Sequence, residues 1–239
     1  PKLAGLAALM KFLLALNLFG RATYDWQLIV SVLAIATLTV GNFSALMQNN
    51  AKRMMAYSSI AQTGFLLAGV AAFTPQGTHM MLHYAVVYTV ANFLVFVILQ
   101  YFEKQGIHTI AGYASIGRFA LVPALFLLTG LVTLTGLPPT SGFTAKLFIF
   151  TSLWEAYAHT GKPALLLLLV FGLLNTVVAL FYYIKIPYYA FLKPGEHTII
   201  KNNAAAVNFL GFALVLLILI FFFFPAVLMG WINKINFVL

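Results

Sequence analysis

A long apolar run, interrupted in its middle by Gly136-Leu137-Pro138-Pro139-Thr140-Ser141-Gly142, limits the possible folds of this chain more than any other part of the sequence. No Asp, Glu, Lys or Arg occurs from Phe119 to Ala145, which is longer than the about 20 residues that span a bilayer core. Pro139 has no N–H to donate, and Pro138 pushes the residue before it away from helical angles. Non-helical backbone is tolerated at membrane depth only inside protein or against a water-filled cavity. The sequence therefore predicts a discontinuous transmembrane helix.

The overall composition indicates that lipid is the solvent of this chain. Of its 239 residues, 63% are hydrophobic and 7% are charged, which is more apolar surface than a soluble domain of this size could bury. The net charge of +9 could indicate nucleic-acid binding, but the thirteen Lys and Arg residues are scattered between apolar runs and form no basic stripe. Without cysteine, disulfides and thiolate metal sites are excluded. The sequence contains no nucleotide-binding loop or metal-ligand cluster, so we expect it to bind no cofactor.

The apolar segments predict an all-α polytopic membrane protein with about seven crossings. The predicted helices cover roughly 1–20, 26–51, 56–73, 79–101, 119–158, 163–191 and 204–229. The cluster Thr74-Pro75-Gln76-Gly77 separates the third from the fourth, and Pro187 is expected to kink the sixth. Because the chain starts at Pro1-Lys2 inside an apolar segment, with no small-residue cleavage site after it, we expect a fragment of a longer protein.

The orientation follows from the basic residues of the predicted loops. One side carries seven of them: Lys52, Arg53, Lys104, Arg118, Lys185, Lys193 and Lys201. The other side carries three: Arg21, Lys162 and Lys234. The first side is therefore expected to face the cytoplasm, which leaves the C-terminus on the non-cytoplasmic side.

Lys146 is the sharpest candidate for a functional residue. It follows the predicted break by about one turn, and no acidic residue is nearer in the sequence than Glu155. Snorkelling to the interface is the alternative, but about 18 Å of helix separates Lys146 from the expected helix end at Ala158. A lysine in a low-dielectric interior changes charge readily in response to its neighbours, which suits a proton carrier. Ionisable residues at this depth typically mark ion paths.

Other polar residues allow two interpretations on the residues alone. Lys2 is typical of an interfacial lysine, unless the chain is cut and Lys2 lies within a longer helix. A hydrogen-bonded interfacial position is favoured over a relay for His83. The mid-span Asn92 and Asn175 are expected to bond between helices, although they could also line a wet path. Tyrosine pairs, one tryptophan and one lysine are expected at interfaces: Tyr182-Tyr183, Tyr188-Tyr189, Trp231 and Lys185.

Two motifs resemble the antiporter-like membrane subunits of respiratory complex I (NADH-quinone oxidoreductase). The first consists of Gly41-Asn42-Phe43-Ser44-Ala45-Leu46 followed by Gln48, Lys52-Arg53 and Ala56-Tyr57-Ser58-Ser59-Ile60. The second, Gly136-Leu137-Pro138-Pro139-Thr140-Ser141-Gly142-Phe143 with Lys146, is similar to the family's discontinuous twelfth helix. Four further residues resemble its eleventh helix: Tyr84, Tyr88, Asn92 and Phe96. Within the family, the segment in which Lys146 is followed by Leu147-Phe148-Ile149-Phe150 is most similar to the corresponding segment of the subunit N branch.

The resemblance covers essentially the whole chain and implies a domain organisation and a function. Residues 1–20 would be the end of a helix from a truncated repeat, 26–192 the second of two inverted five-helix repeats, and 204–229 the final helix. Lys146 would be the proton-carrying lysine of the twelfth helix. Lys2 would be the central lysine of the eighth helix, which reverses the interpretation made from the residues alone.

Two functions are compatible with this resemblance. The first is a proton-translocating subunit that works with other membrane subunits of a respiratory complex, in an energy-transducing membrane, where redox chemistry occurs in other chains. The alternative is a subunit of a multi-subunit cation/proton antiporter with the same fold. A purely structural membrane bundle is disfavoured by the broken helix and its lysine.

Overall fold

The fold is a bundle of α-helices, described by a computed structural model for residues 2–18, 24–195 and 205–235. The helices are α1 (Lys2–Leu18), α2 (Trp26–Leu46), α3 (Ala51–Ala71), α4 (Pro75–Glu103), α5 (Ile116–Phe119), α6 (Leu121–Thr135), α7 (Ser141–Thr160), α8 (Pro163–Leu192), α9 (Ala205–Phe223) and α10 (Pro225–Ile232). Among them α2, α3, α4, α8 and α9 are long and apolar enough to cross a membrane. With the discontinuous pair α6 and α7, they confirm the predicted all-α polytopic membrane fold.

Polar side chains set the starts of the long helices. Asp25, Asn50 and Thr74 precede α2, α3 and α4, and each accepts a hydrogen bond from a backbone N–H in the first turn of its helix. This bonding satisfies donors that a helix start otherwise leaves without partners. Pro75 then occupies the first turn of α4, where its missing N–H costs nothing. Hence α4 begins inside the breaker cluster and not several residues after it.

One end of the bundle is closed by contacts between the start of α2 and neighbouring helices. The Lys162 ammonium lies 2.9 Å from both carboxylate oxygens of Asp25 and holds the pKa of that carboxyl below its usual value. Gln27 donates a 3.0 Å hydrogen bond to the carbonyl of Ala71 at the end of α3. The starts of α2 and α8 and the end of α3 therefore lie together.

The opposite end is closed by the segment between α4 and α6, where a short 3₁₀ turn (Ala111–Tyr113) and α5 occupy the predicted loop. Its backbone forms hydrogen bonds with the backbone of Asn49 and Ala51. Nearby, Lys52 forms an ion pair with Glu103. Ser115 donates from its N–H to the carbonyl of Lys193, 3.0 Å away. This end thus collects residues of the side predicted to be cytoplasmic.

The last span differs from the single helix expected over 204–229. The chain forms α9 to Phe223, and α10 begins at Pro225. Proline cannot donate to the preceding turn, so it ends α9 and occupies the first turn of α10. In contrast, α8 continues through Pro187 to Leu192. The discontinuity between α6 and α7 is the one predicted between Gly136 and Gly142.

Candidate functional site

The break between α6 and α7 is built by two glycines with different roles. Gly136 has φ +85°, a left-handed conformation that ends α6, and its N–H bonds the carbonyls of Val132 and Thr133. Gly142 lies directly on the carbonyl of Thr133, where any added Cβ would overlap that backbone. The first turn of α7 therefore packs against the last turn of α6 with no side chain between them.

Lys146 enters this break from α7. Its side chain is 4% exposed, and its ammonium donates a 2.7 Å hydrogen bond to the carbonyl of Thr135, the last residue of α6. The ammonium also lies 4.5 Å from the centre of the Phe65 ring on α3, within the range of a cation–π contact. The predicted burial of Lys146 between helices is confirmed, and its ligand is a carbonyl that the helix end leaves free.

Gln62 on α3 binds the neighbouring free carbonyl. Its amide nitrogen donates to the carbonyl of Leu134, at 3.2 Å, and to the hydroxyl of Tyr183, at 3.1 Å. Its amide oxygen accepts a hydrogen bond from the hydroxyl of Tyr84 on α4. A single buried amide therefore links the broken helix to two tyrosines on two other helices.

The polar contacts continue from Tyr183 towards α2. The ring of Tyr183 packs against that of Tyr182, with ring centres 4.4 Å apart, and the hydroxyl of Tyr182 donates to Asn42, at 2.9 Å. Asn42 in turn donates to the side chain of Asn175, also at 2.9 Å. We name Lys146, Gln62, Tyr84, Tyr183, Tyr182, Asn42 and Asn175 the polar chain.

The polar chain runs between two apolar parts of the core. Phe65, Ala145 and Ile149 belong to one cluster of buried side chains. Leu134 and Tyr183 belong to the other. Burying a polar group in such a position costs free energy unless the group has a hydrogen-bond partner. The polar chain is thus a buried polar layer across the bundle, in which hydrogen bonds join Gln62 to two tyrosines and Asn42 to Tyr182 and Asn175.

Several sequence interpretations need correction. His83 is not at an interface, because it is fully buried and packs edge-on against Phe148 with ring centres 5.1 Å apart. Within the described residues, neither ring nitrogen has a hydrogen-bond partner. Tyr182 and Tyr183 are core residues and not interfacial ones, because packing turns them towards α2 and α3. The prediction of an interhelical bond holds for Asn175, whereas the Asn92 side-chain oxygen has no partner in the described structure.

Other predicted residues lie away from the break. Lys2 is the first residue of α1, and its side chain lies outside the described part of the structure. Lys185 reaches back to the carbonyl of Leu46 at the end of α2, 2.7 Å away. Trp231 is 76% exposed, and Tyr188 is also exposed, in agreement with interfacial positions.

Sequence reasoning did not single out Gln62. Its only local signal is a glutamine inside an otherwise weakly polar helix, flanked by Ala61 and Thr63. What makes it important is the free carbonyl of Leu134, which is created by the break 72 residues further along the chain.

A polytopic membrane fold, a discontinuous helix and a buried ammonium bound at the break are features that are typical of ion-translocating membrane proteins. The comparison with known families is specific. The chain belongs to the family described as NADH:quinone oxidoreductase/Mrp antiporter, TM, whose model matches residues 1–176.

Individual relatives agree with this membership. The chain is 37% identical over 208 residues to NADH-quinone oxidoreductase subunit N of Trichlorobacter lovleyi, a match that covers 86% of this chain and 41% of that protein. A chain of respiratory complex I from Thermus thermophilus is similar with a TM-score of 0.68 and 26% identity, covering 84% of this chain and 44% of that one. A chain of an archaeal membrane-bound sulfane sulfur reductase is similar with a TM-score of 0.77 and 25% identity, covering 87% and 41%. This chain thus spans about two fifths of its relatives' length.

Proposed function

We propose that this chain is part of a proton-translocating membrane subunit of an NADH-quinone oxidoreductase, of the subunit N type. The observation that carries the proposal is the buried Lys146 ammonium, bound by a carbonyl at a helix break inside the membrane. The family membership and the names of the relatives support it. Quinone reduction would take place in other subunits, so that this chain moves protons and binds no cofactor itself.

The surroundings of Lys146 support a group that gains and loses a proton. An ammonium has three N–H donors, and among the described residues one of them is used, on Thr135. The last carbonyls of α6 form the negative end of its helix dipole, which stabilises a positive charge at the break. Burial acts against that charge. Because the helix dipole and burial act in opposite directions, the protonation of Lys146 is sensitive to any charge that moves nearby.

The proton path would run along the polar chain together with water. Tyrosine hydroxyls and the hydroxyl of Ser141 can both donate and accept, as a proton relay requires. The Ser141 hydroxyl is buried and has no protein partner within the described residues. A buried polar atom of this kind usually binds an ordered water. We therefore propose a hydrated segment beside the break.

Lys2 is proposed as the second proton carrier, on the resemblance to the family alone. In the full-length protein, Lys2 is expected near the bilayer midplane beside hydrated cavities. A position at headgroup level in the assembled complex would refute this role.

The same proposal includes the membrane context. The chain would lie in an energy-transducing membrane with other membrane subunits as partners. The end of the bundle that carries Lys52, Lys104 and Arg118 would face the cytoplasm, following the excess of basic residues there. The C-terminus would then lie on the other side.

A subunit of a multi-subunit cation/proton antiporter is the alternative, because the family description also names the Mrp antiporter. The genes beside the one encoding this chain distinguish the two functions. Neighbours encoding quinone-site and iron–sulfur subunits support the oxidoreductase. Neighbours encoding only antiporter subunits would leave the antiporter as the function.

The test is a pair of substitutions in the full-length protein within its complex, Lys146→Met and Lys146→Arg. Methionine keeps the approximate bulk but cannot titrate, whereas arginine keeps the charge and does not release its proton. Both variants are expected to lose most proton uptake, and quinone reduction should fall with it. The measurement is simultaneous quinone reductase activity and proton uptake in reconstituted vesicles, after assembly has been verified.

Lys104→Met is the matched control, because Lys104 is an exposed lysine just after α4. It should keep both activities. Full proton uptake by Lys146→Met would mean that Lys146 is a structural lysine.

A further inference from the structure

A second site lies away from the polar chain, in a cavity of about 340 Å³ where the end of α2, the segment before α5 and the end of α8 meet. This volume falls within the range of roughly 300–1,000 Å³ that is typical of small-molecule sites. Polar side chains from all three parts line it: Asn49, Thr109, Lys185, Tyr188 and Tyr189.

The walls of this cavity are held by backbone bonds. Ile110 donates from its N–H to the carbonyl of Asn49, at 2.8 Å, and Thr109 forms a β-bridge with Asn50. On the other wall, Ser115 donates to the carbonyl of Tyr189, at 3.3 Å. The cavity is therefore a built feature of the fold and not a gap between loose side chains.

The charge of the cavity is positive. Lys185 lines it and is half-buried, and the one hydrogen bond of its ammonium within the described residues goes to the uncharged carbonyl of Leu46. Lys193 lies above the Tyr188 ring, 5.5 Å from its centre, at the same end of α8. No residue described as lining the cavity is acidic. An anion would therefore complement this cavity, with two N–H donors of Lys185 still available.

An apolar stripe leads along α8 to the mouth of the cavity. Val177, Phe181, Ile184 and Tyr188 are all exposed and are spaced by three or four residues, so they lie on one face of the helix. Such a face, on a helix that spans the membrane, contacts acyl chains. The stripe ends in aromatic and basic residues, which is the arrangement expected at headgroup level.

We propose that this cavity binds the phosphate of an anionic phospholipid, with Lys185 as the principal ligand and the acyl chains lying along the apolar stripe. Tyr188 and Tyr189 supply hydroxyl donors beside the phosphate, and Lys193 supplies the second positive charge. Basic pockets between helices at the cytoplasmic surface bind anionic headgroups in the same way. The site concerns lipid binding, so it stands or fails independently of proton transfer at Lys146.

The test uses a photoreactive benzophenone amino acid in place of Ile184, one turn from the mouth, in the full-length protein within its assembled complex. The complex is reconstituted into vesicles of phosphatidylcholine with a small fraction of phosphatidylglycerol, and the lipid adducts are identified by mass. Phosphatidylglycerol should be enriched about fivefold over its bulk fraction, the factor that corresponds to ~1 kcal/mol for one lysine near an anionic lipid. Lys185→Gln should abolish this enrichment.

Lys104→Gln is the control, because it removes the same charge from the same end of the bundle but not from the cavity. It should leave the enrichment unchanged. The proposal would be overturned if, with Lys185 intact, the lipid adducts contained phosphatidylglycerol only in its bulk fraction. An adduct to another protein subunit would also overturn it. Loss of the lipid adduct on addition of soluble glycerol phosphate would assign the cavity to a soluble anion and overturn the lipid site.

Discussion

The chain responds in opposite ways to the prolines in two of its long apolar runs, Pro138-Pro139 and Pro187. At Pro138-Pro139 the helix stops at Thr135 and restarts at Ser141, whereas α8 continues through Pro187 to Leu192. A single proline removes one N–H donor and keeps a helical φ, so a packed helix can absorb it. At the break, two prolines follow a glycine that already has a left-handed φ of +85°. At this position the glycine and the two prolines together interrupt the helix, whereas the single Pro187 does not interrupt α8.

The consequence of this difference lies in the carbonyl groups. The break frees the carbonyls of Leu134 and Thr135, and side chains from α3 and α7 bind them. Free backbone carbonyls inside a membrane must find donors within the protein. The break therefore creates binding partners for Lys146 and Gln62. Flexibility need not be invoked for its function.

Among substitutions that test this difference between the break and α8, Gly142→Ala is expected to have the largest effect on stability. The added Cβ would overlap the carbonyl of Thr133, which is backbone and cannot move aside without shifting α7 away from α6. The cost should lie at the upper end of the about 1–3 kcal/mol that is typical of overpacking. Thermal unfolding and subunit assembly of the purified complex measure it. Gly230→Ala is the control, because a Cβ there meets nothing within 4 Å, and equal melting temperatures for both variants would contradict the close packing.

A smaller effect is expected from Gln62→Leu. Leucine has nearly the same bulk but leaves the Leu134 carbonyl and the hydroxyls of Tyr84 and Tyr183 without their shared partner. We expect a loss of about 1–2 kcal/mol in stability, together with reduced proton uptake in vesicles. Gln48→Leu removes only a local bond, from the side chain just after α2 to the carbonyl of Ser44, and should have little effect. Normal proton uptake by Gln62→Leu would exclude Gln62 from the proposed proton path.

The sequence was sufficient for the break and for the burial of Lys146. Both follow from covalent constraints and from distance along the chain, namely the double proline and a charge-free run longer than one bilayer crossing. These constraints act wherever the helix packs. The assignment of Lys2 and Lys146 as proton carriers, and the division into repeats, stay predictions.

What the sequence could not supply is the rotation of each helix. A helix that is apolar on all sides gives no signal of which face is buried, so Tyr182 and Tyr183 were expected at an interface and lie in the core. Gln62 has its role only because α3 packs beside the break. Prolines were equally ambiguous, since Pro225 ends one helix and starts the next while Pro187 does neither.

The smallest effect is expected from Pro187→Ala, which tests whether the proline of α8 has any role comparable to that of the break. Alanine restores an N–H that can donate to the carbonyl four residues earlier, and such a hydrogen bond contributes about 0.5–1.5 kcal/mol to stability. Pro187 is buried, so loss of its ring removes packing of similar size, at about 0.8 kcal/mol per CH₂. The two terms nearly cancel, and neither proton uptake nor melting temperature should change much.

The variant for comparison is the double substitution Pro138→Ala with Pro139→Ala. It should lower proton uptake, because a helix can re-form there and remove the carbonyl that Lys146 binds. If Pro187→Ala reduced proton uptake as strongly as the double substitution, Pro187 would have the same importance as Pro138-Pro139. The contrast between the break and α8 would then be wrong.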